Sequence, residues 1–472
     1  MTDERPWAGR RLHFIGIGGA GMSGLALVAG ALGAQVSGSD RADSAALARL
    51  RDGGATVAVG HDAANLPAGD GVEVVHSTAV PPDNPERAAA RERGLAELHR
   101  ADLLGEITAL PGRRCIAVTG THGKTTTSSM VVHVLRGCGL DPGYLVGGAV
   151  RSTGSNAGWG RGEWVVVEAD ESDRSLLRLH PDVAVLTNAE LDHHSTYGSR
   201  LDVDATFRAF LARASEAVVV WDRPELVALA PGGAGEAPAG GGGGPGAAPG
   251  GAGGGAVAVV PYDVPEPLLD PSGIRFGWRG RDVHLSVPGA HNALNAAAAL
   301  EAARLAGADP ARAAAALADF RGAARRFELL GTAASGAVVY DDYAHHPTEV
   351  AATIAAARTL APARVVVAFQ PHLFSRTRAL AREFGAALAA ADLVVVLGIY
   401  PARERAEAFP GVSGRLVAAA AADAVRPPRA GVAWLPGFDA AERFLRAQLR
   451  PGDLCLAMGA GDVDGLGRRL VA

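Results

Sequence analysis

The only lysine of this chain stands in a glycine loop. Lys124 lies within Val118-Thr119-Gly120-Thr121-His122-Gly123-Lys124-Thr125-Thr126-Thr127, and every other basic side chain except the histidines is an arginine. A compact ammonium on a flexible stem reaches phosphate oxygens that arginine's planar fork fits poorly. The G-x-x-G-K-T spacing follows the apolar run 115–118 and precedes a helical pattern over 128–135. A strand, a glycine loop and a helix N-terminus in that order form an anion site. Backbone N–H groups and the helix dipole hold phosphates, Lys124 neutralises charge, and the Thr125 hydroxyl can ligate Mg²⁺. On this reading Lys124 is expected among N–H donors.

Other stretches carry matching chemistry. Residues 165–173 read as a buried strand ending in Glu168-Ala169-Asp170-Glu171-Ser172-Asp173, and the next strand ends in Thr187-Asn188-Ala189-Glu190-Leu191-Asp192-His193-His194. In a parallel sheet the strand C-termini face the ligand crevice, so these carboxylates are placed to hold Mg²⁺. The two histidines, on a strand expected next to that of Glu168, suit a metal or substrate. Asn292 and Asn295 sit one helical turn apart on one face. They either read an adenine edge or serve as an N-cap and an exposed amide. Further on, Arg325-Arg326-Phe327-Glu328, Tyr340-Asp341-Asp342-Tyr343-Ala344-His345-His346-Pro347-Thr348-Glu349 and Phe369-Gln370-Pro371-His372-Leu373-Phe374-Ser375-Arg376 gather histidines and arginines at one edge. That edge suits carboxylates and phosphates. No G-x-S-x-G serine and no cysteine beside these histidines offers a covalent nucleophile.

The elements that must position these groups read as three α/β units in series. Short β runs at 12–17, 35–39, 56–59 and 72–76 alternate with helical stretches, which implies a parallel sheet. Pro111-Gly112 breaks the pattern. A second unit has strands at 164–168, 183–187 and 217–221, resumes at 257–260, and continues into an alanine-rich helix at about 292–306. A third has strands at 337–341, 364–369, 393–397 and 454–458. The expected domains are 1–110, 111–322 and 323–472. Residues 231–256 are almost all Gly, Ala and Pro and read as a flexible surface excursion. A length of 472 residues is too great for one core. The net charge of −5 and the lack of a basic run exclude a nucleic-acid footprint. Three scattered cysteines imply a reducing, cytoplasmic setting. Arg10-Arg11 before an apolar stretch imitates a twin-arginine signal, but Gly16-Ile17-Gly18-Gly19-Ala20-Gly21-Met22-Ser23-Gly24 reads better as a strand running into a glycine turn, since its glycines would weaken a helix. No membrane-inserted segment is expected.

In this order, the motifs resemble the Mur ligase family of peptidoglycan biosynthesis over nearly the whole chain. The doubled His345-His346 resembles the L-alanine-adding branch. The resemblance implies a Rossmann-like N-terminal domain, a central P-loop ATPase-like domain and a C-terminal Rossmann-like domain. It implies an ATP- and Mg²⁺-dependent ligase that joins L-alanine to UDP-N-acetylmuramate through an acyl phosphate, as a monomer or weak homodimer. Carried over residue by residue, Gly120, Thr121, His122, Gly123, Lys124, Thr125 and Thr126 cradle phosphates, and Thr125, Glu168 and His193 ligate the metal. Asn292 and Asn295 hold adenine, Arg326 the γ-phosphate and Asp342 the ribose. Gly18, Gly19, Gly21, Met22, Ser23, Asp40 and Ser77 bind the UDP-sugar. His345, His372 and Arg376 receive the incoming substrates, and Lys124, His193, His345 and Arg376 carry the catalysis. Ala344 stands where the family usually has glycine, which places a methyl where backbone room is expected. Sister ligases use a carbamylated lysine for a second Mg²⁺, and this chain has no lysine to offer.

Overall fold

The computed structural model describes residues 5–193, 196–232, 256–424 and 431–472. His194, and the Gly/Ala/Pro segment except for its ends, lie outside the described residues. The N-terminal sheet is fully parallel, in the order Thr56–Val59, Gln35–Asp40, Arg11–Ile15, Val72–His76, Ala96–His99. This doubly wound order opens a crevice at the C-terminal ends of its central strands. The glycine run after Arg11–Ile15 does not stay a turn. Helix Ala20–Ala31 contains Gly21, Gly24 and Gly30. Gly24 has a packing reason: a Cβ there would meet the Ala157 Cβ and the Asn156 Nδ2 at 3.2 Å each. The Asn156 amide also donates to the Ala20 carbonyl at 2.7 Å, joining the first unit to the second.

The central sheet runs Ala258–Tyr262, Ala217–Trp221, Val183–Leu186, Arg114–Thr119, Trp164–Glu168, Gly143–Val150, Ser155–Gly158. Only Ser155–Gly158 pairs antiparallel. The strand leading to Lys124 is therefore central. It separates the strand ending at Glu168 from the one leading to His193, which were expected to be neighbours. Runs such as Trp164-Val165-Val166-Val167 are fully covered, as parallel strands buried on both faces require. Helix Ala290–Leu305 packs on helix Lys124–Gly137, and Ala293, Ala296, Ala297 and Ala299 are wholly buried between them and the sheet. Small side chains let the two backbones approach closely at native packing density. A three-stranded antiparallel sheet, Leu268–Asp270, Gly273–Trp278 and Arg281–Leu285, covers this helix and is anchored by the Trp278 indole donating to Glu301 at 2.9 Å. The sequence reading did not foresee this sheet.

The C-terminal sheet runs Glu328–Thr332, Val338–Asp342, Asp453–Met458, Arg364–Phe369, Leu393–Val396, Val432–Trp434, parallel except for its first strand. Among the described residues no helix is long and apolar enough to cross a membrane.

Candidate active site

The glycine loop is braced by the end of the adjacent strand. The Asn188 Oδ1 accepts from the His122 backbone N–H at 2.8 Å, and the Thr187 hydroxyl and Asn188 amide donate to the His122 carbonyl at 2.6 and 2.9 Å. Thr121 is tied both ways to the Glu190 backbone. Gly123 caps the following helix at φ 84°, and a Cβ there would sit 2.5 Å from the Asn295 Oδ1. That position therefore needs glycine for conformation and for clearance. Lys124 is held by oxygen acceptors. Its Nζ donates to the Gly120 and Thr121 carbonyls at 2.6 and 3.1 Å and lies 2.9 Å from a Glu171 oxygen. Burial opposes the ammonium's charge, but Glu171, Asp170 and Glu168 prevail and raise its pKa.

The carboxylate burst divides its labour. Glu168 accepts from the Thr125 hydroxyl at 3.0 Å and the Gly147 N–H at 2.7 Å, and burial pushes its pKa up against the pull of Lys124. A half-buried carboxylate and a hydroxyl, both hard oxygen donors, fit Mg²⁺. Glu171 bridges Lys124 and His193, whose Nε2 lies 3.4 Å away. His193 is held at φ 51°, an uncommon conformation for a non-glycine residue. Asp170 folds back on Ser172. Asp173 reaches the first unit, accepting from Arg100 at 2.9 Å and Thr78 at 3.3 Å. Glu171 was singled out by nothing in the sequence beyond its place in the acidic run.

Between the central and C-terminal units lies a pocket lined by His122, Gly123, Thr126, Asn292, Asn295, Arg326, Asp342 and Glu349, with apolar walls from Tyr262, Phe320 and Phe327. Asn292 is not the N-cap, a place taken by Gly289. Its amide donates to the Pro288 carbonyl at 2.7 Å, and its oxygen accepts from Asn295 at 3.1 Å. Asp342 is buried and already accepts from the Phe327 and Ala344 N–H groups at 2.7 and 2.8 Å. Arg326 stacks on Tyr343 and lies 3.8 Å from Glu349. His291 also lines the pocket, and burial drives its pKa to about 4. The aromatic wall was not anticipated, because its members come from segments far apart in sequence. The Ala344 methyl fits: the residue is 1 % exposed, packs into the C-terminal core and lies outside the left-handed region.

At the same seam Arg376 makes a two-pronged ion pair with Asp192, Nη2 lying 2.8 and 3.0 Å from its oxygens, both side chains being almost wholly buried. Its Nη1 donates to the His372 Nδ1 at 3.1 Å. The His345 Nδ1 faces the Tyr343 carbonyl at 2.9 Å, and its ring meets that of His372 edge-on at 5.9 Å. Burial, with Arg376 adding to it, lowers the pKa of His372 to about 4. Burial lowers that of His345 to about 3, with Glu349 opposing. Both rings are therefore neutral at ordinary pH. Arg376 is already engaged with a carboxylate, that of Asp192.

In the first unit, the Gly18 N–H donates to the Asp40 Oδ2 at 2.8 Å. Gly19 is exposed at the N-cap and Gly21 in the first turn of helix Ala20–Ala31, Ser77 is half-buried at the strand end, and Met22 and Ser23 turn inward, each 4 % exposed.

Three α/β units with a phosphate loop at the middle crevice define the class, and the comparisons agree. The chain belongs to the Mur ligase family. Family models match in sequence order: the Mur ligase catalytic domain over residues 11–110, the middle domain over 118–232 and the glutamate ligase domain over 325–461. The chain is 46 % identical to the UDP-N-acetylmuramate–L-alanine ligase of Mycobacterium sp. (strain JLS), covering 98 % of this chain and 95 % of that one. It is 48 % identical to the enzyme of that name from Kineococcus radiotolerans, over 97 % and 94 % of the two chains. Among solved structures it resembles the UDP-N-acetylmuramate–alanine ligase of Thermotoga maritima, with a TM-score of 0.78, 28 % identity and 98 % coverage of both chains.

Proposed function

We propose that this chain is an ATP-dependent ligase that joins L-alanine to the lactoyl carboxylate of UDP-N-acetylmuramate, with release of ADP and phosphate, in peptidoglycan synthesis. The observation that carries this reading is the nearly full-length likeness to ligases of that activity. The geometry supplies the chemistry. ATP enters the seam pocket, with adenine at Asn292 and Asn295, ribose toward Asp342, and phosphates on the glycine loop 120–126, Lys124 and Arg326. The UDP-sugar lies over Gly18, Gly19 and Gly21, with Asp40 and Ser77 at the strand ends and Met22 and Ser23 beneath. Mg²⁺ bound by Thr125, Glu168 and His193 would offset phosphate charge.

A lactoyl carboxylate oxygen attacks the γ-phosphorus and ADP leaves. The L-alanine ammonium sheds a proton to solvent, its amine attacks the carbonyl carbon of the acyl phosphate, and phosphate departs with that oxygen as the nitrogen gives up its second proton. Two anions must meet in the first step, so positioning and cationic charge do most of the work. Glu171 holds Lys124 until phosphate oxygens replace it as partner. Neutral His345 and His372 accept and donate hydrogen bonds at the amino-acid end without repelling an incoming ammonium, and Asp192 keeps Arg376 oriented there. The closed seam keeps water from the acyl phosphate. The test is isotopic. Substrate labelled with ¹⁸O in the lactoyl carboxylate should deliver one labelled oxygen to each phosphate released. Unlabelled phosphate would rule out the acyl-phosphate route.

A further inference from the structure

We propose that His122, Glu190 and His346 form a binding site for a divalent transition cation, Zn²⁺ first among them, that fastens the central unit to the C-terminal unit. One ligand atom from each of the three side chains lies within 4.8 Å of the others. The His122 Nε2 stands 3.4 Å from the Glu190 Oε2, and the His346 Nδ1 stands 3.8 Å from the same oxygen. Donors about 2.0–2.1 Å from a tetrahedral Zn²⁺ are roughly 3.3–3.4 Å apart, so the His122–Glu190 pair already fits, while the His346 ring must draw in and its Nδ1 must give up the Thr348 N–H that it accepts at 3.4 Å.

A second observation is independent of this proximity. The His122 Nε2 is buried, and its nearest acceptor, the Glu190 Oε2 at 3.4 Å, is too far for a well-formed hydrogen bond. The other nitrogen of the ring, Nδ1, lies 3.2 Å from the Glu349 Oε1. With the Nδ1 proton given to Glu349, the Nε2 lone pair points toward a carboxylate oxygen. Only a cation satisfies both: the imidazolium's own second proton, or a metal. A carboxylate behind a ligating imidazole is also the usual outer partner of a Zn²⁺-bound histidine, fixing its tautomer and raising its basicity. The Thr348 hydroxyl, donating to the Glu190 Oε2 at 2.7 Å, steadies the acid in the same way. In the ion-free protein the proton takes the place: burial opposes it, but Glu190 and Glu349 raise the pKa of His122 to about 9. The metal therefore competes with a proton.

Two imidazoles and one carboxylate select borderline cations over Mg²⁺. The site is thus chemically distinct from the oxygen-rich Thr125–Glu168 pair. His122 and Glu190 belong to the central unit and His346 to the C-terminal one, so a bound ion links the two. His122 and Glu190 also line the nucleotide pocket.

Equilibrium dialysis of the metal-stripped full chain against Zn²⁺, in millimolar Mg²⁺, tests the proposal together with X-ray absorption at the zinc edge. One tightly held Zn²⁺ per chain with two imidazole ligands is expected. Glu190→Gln and His346→Gln should each weaken binding at least about tenfold. His346 caps helix Pro347–Thr359, so its variant can misfold, and the ligand count on the parent protein then decides. No Zn²⁺ uptake, a bound ion with at most one imidazole, or unchanged affinity in either folded variant overturns the proposal. A single imidazole would point to the Thr125, Glu168 and His193 site instead.

Discussion

Glu168 is a half-buried carboxylate whose charge desolvation disfavours, raising its pKa against the pull of Lys124. Glu168→Gln keeps the size and removes the charge. Phosphate release should fall at least about a hundredfold, while the melting temperature without Mg²⁺ stays level or rises, because an amide is cheaper to bury. Near-normal turnover at ordinary Mg²⁺ would remove Glu168 from the metal site. His122 makes a second test at this scale. Its pKa in the folded chain, about 9, lies above the ordinary 6.5, so the folded state binds the proton more tightly. The stability gained is full below pH 6.5 and is lost as pH rises through 9. Thermal melts should show that decline, and His122→Asn should flatten it. An unchanged alkaline slope in the variant would show that His122 is not its source. His345, His372 and His291 act in the acid window instead, because their depressed values favour the neutral ring. At this scale the sequence was partly legible. Lys124 and Thr125 announced themselves by spacing, but Glu171 as partner of Lys124 did not, since an acidic run does not say which member turns inward.

Strands carrying unbroken apolar runs were legible at the scale of elements. Thr56–Val59, Trp164–Glu168, Ala217–Trp221 and Arg364–Phe369 lie where hydrophobicity alone places them. Sheet order was not legible, because nothing local in 164–187 says that the strand before Lys124 lies between its two successors. The hairpins over 268–285 escaped notice although Gly273–Trp278 alternates buried Ile274, Phe276 and Trp278 with exposed Arg275 and Gly277; the strands are short, and the exposed Leu268 and Leu269 blur the pattern at its start. The glycine-rich segment, whose composition gives it little to bury, lies outside the described residues except for its ends. Replacing residues 232–255 with a short Gly-Ser link should leave turnover intact and change stability by no more than about a kcal/mol, since loop-closure entropy varies only with the logarithm of length. A well-folded deletion with greatly reduced activity would show that the segment meets a substrate or partner.

For the whole molecule, the seam between the central and C-terminal units governs the site, and Asp192–Arg376 is its most deeply buried ion pair, spanning 184 residues of sequence. Such a contact cannot be read from either motif alone. Removing one partner of a buried pair costs about 3–5 kcal/mol unless the structure opens to rehydrate the other. Asp192→Asn should therefore loosen the seam. X-ray scattering should show a larger radius of gyration, and KM for L-alanine should rise; unchanged scattering and KM would mean that the seam is held elsewhere. The central claim is that these three units together make an L-alanine-adding ligase. It is tested most directly by phosphate release from the purified chain with ATP, Mg²⁺ and UDP-N-acetylmuramate, measured across amino acids. Release should require L-alanine, with glycine and serine as poor substitutes, since one methyl's contacts distinguish substrates by roughly 1–3 kcal/mol. Equal release with L-glutamate or D-glutamate, or release that needs no amino acid, would contradict it.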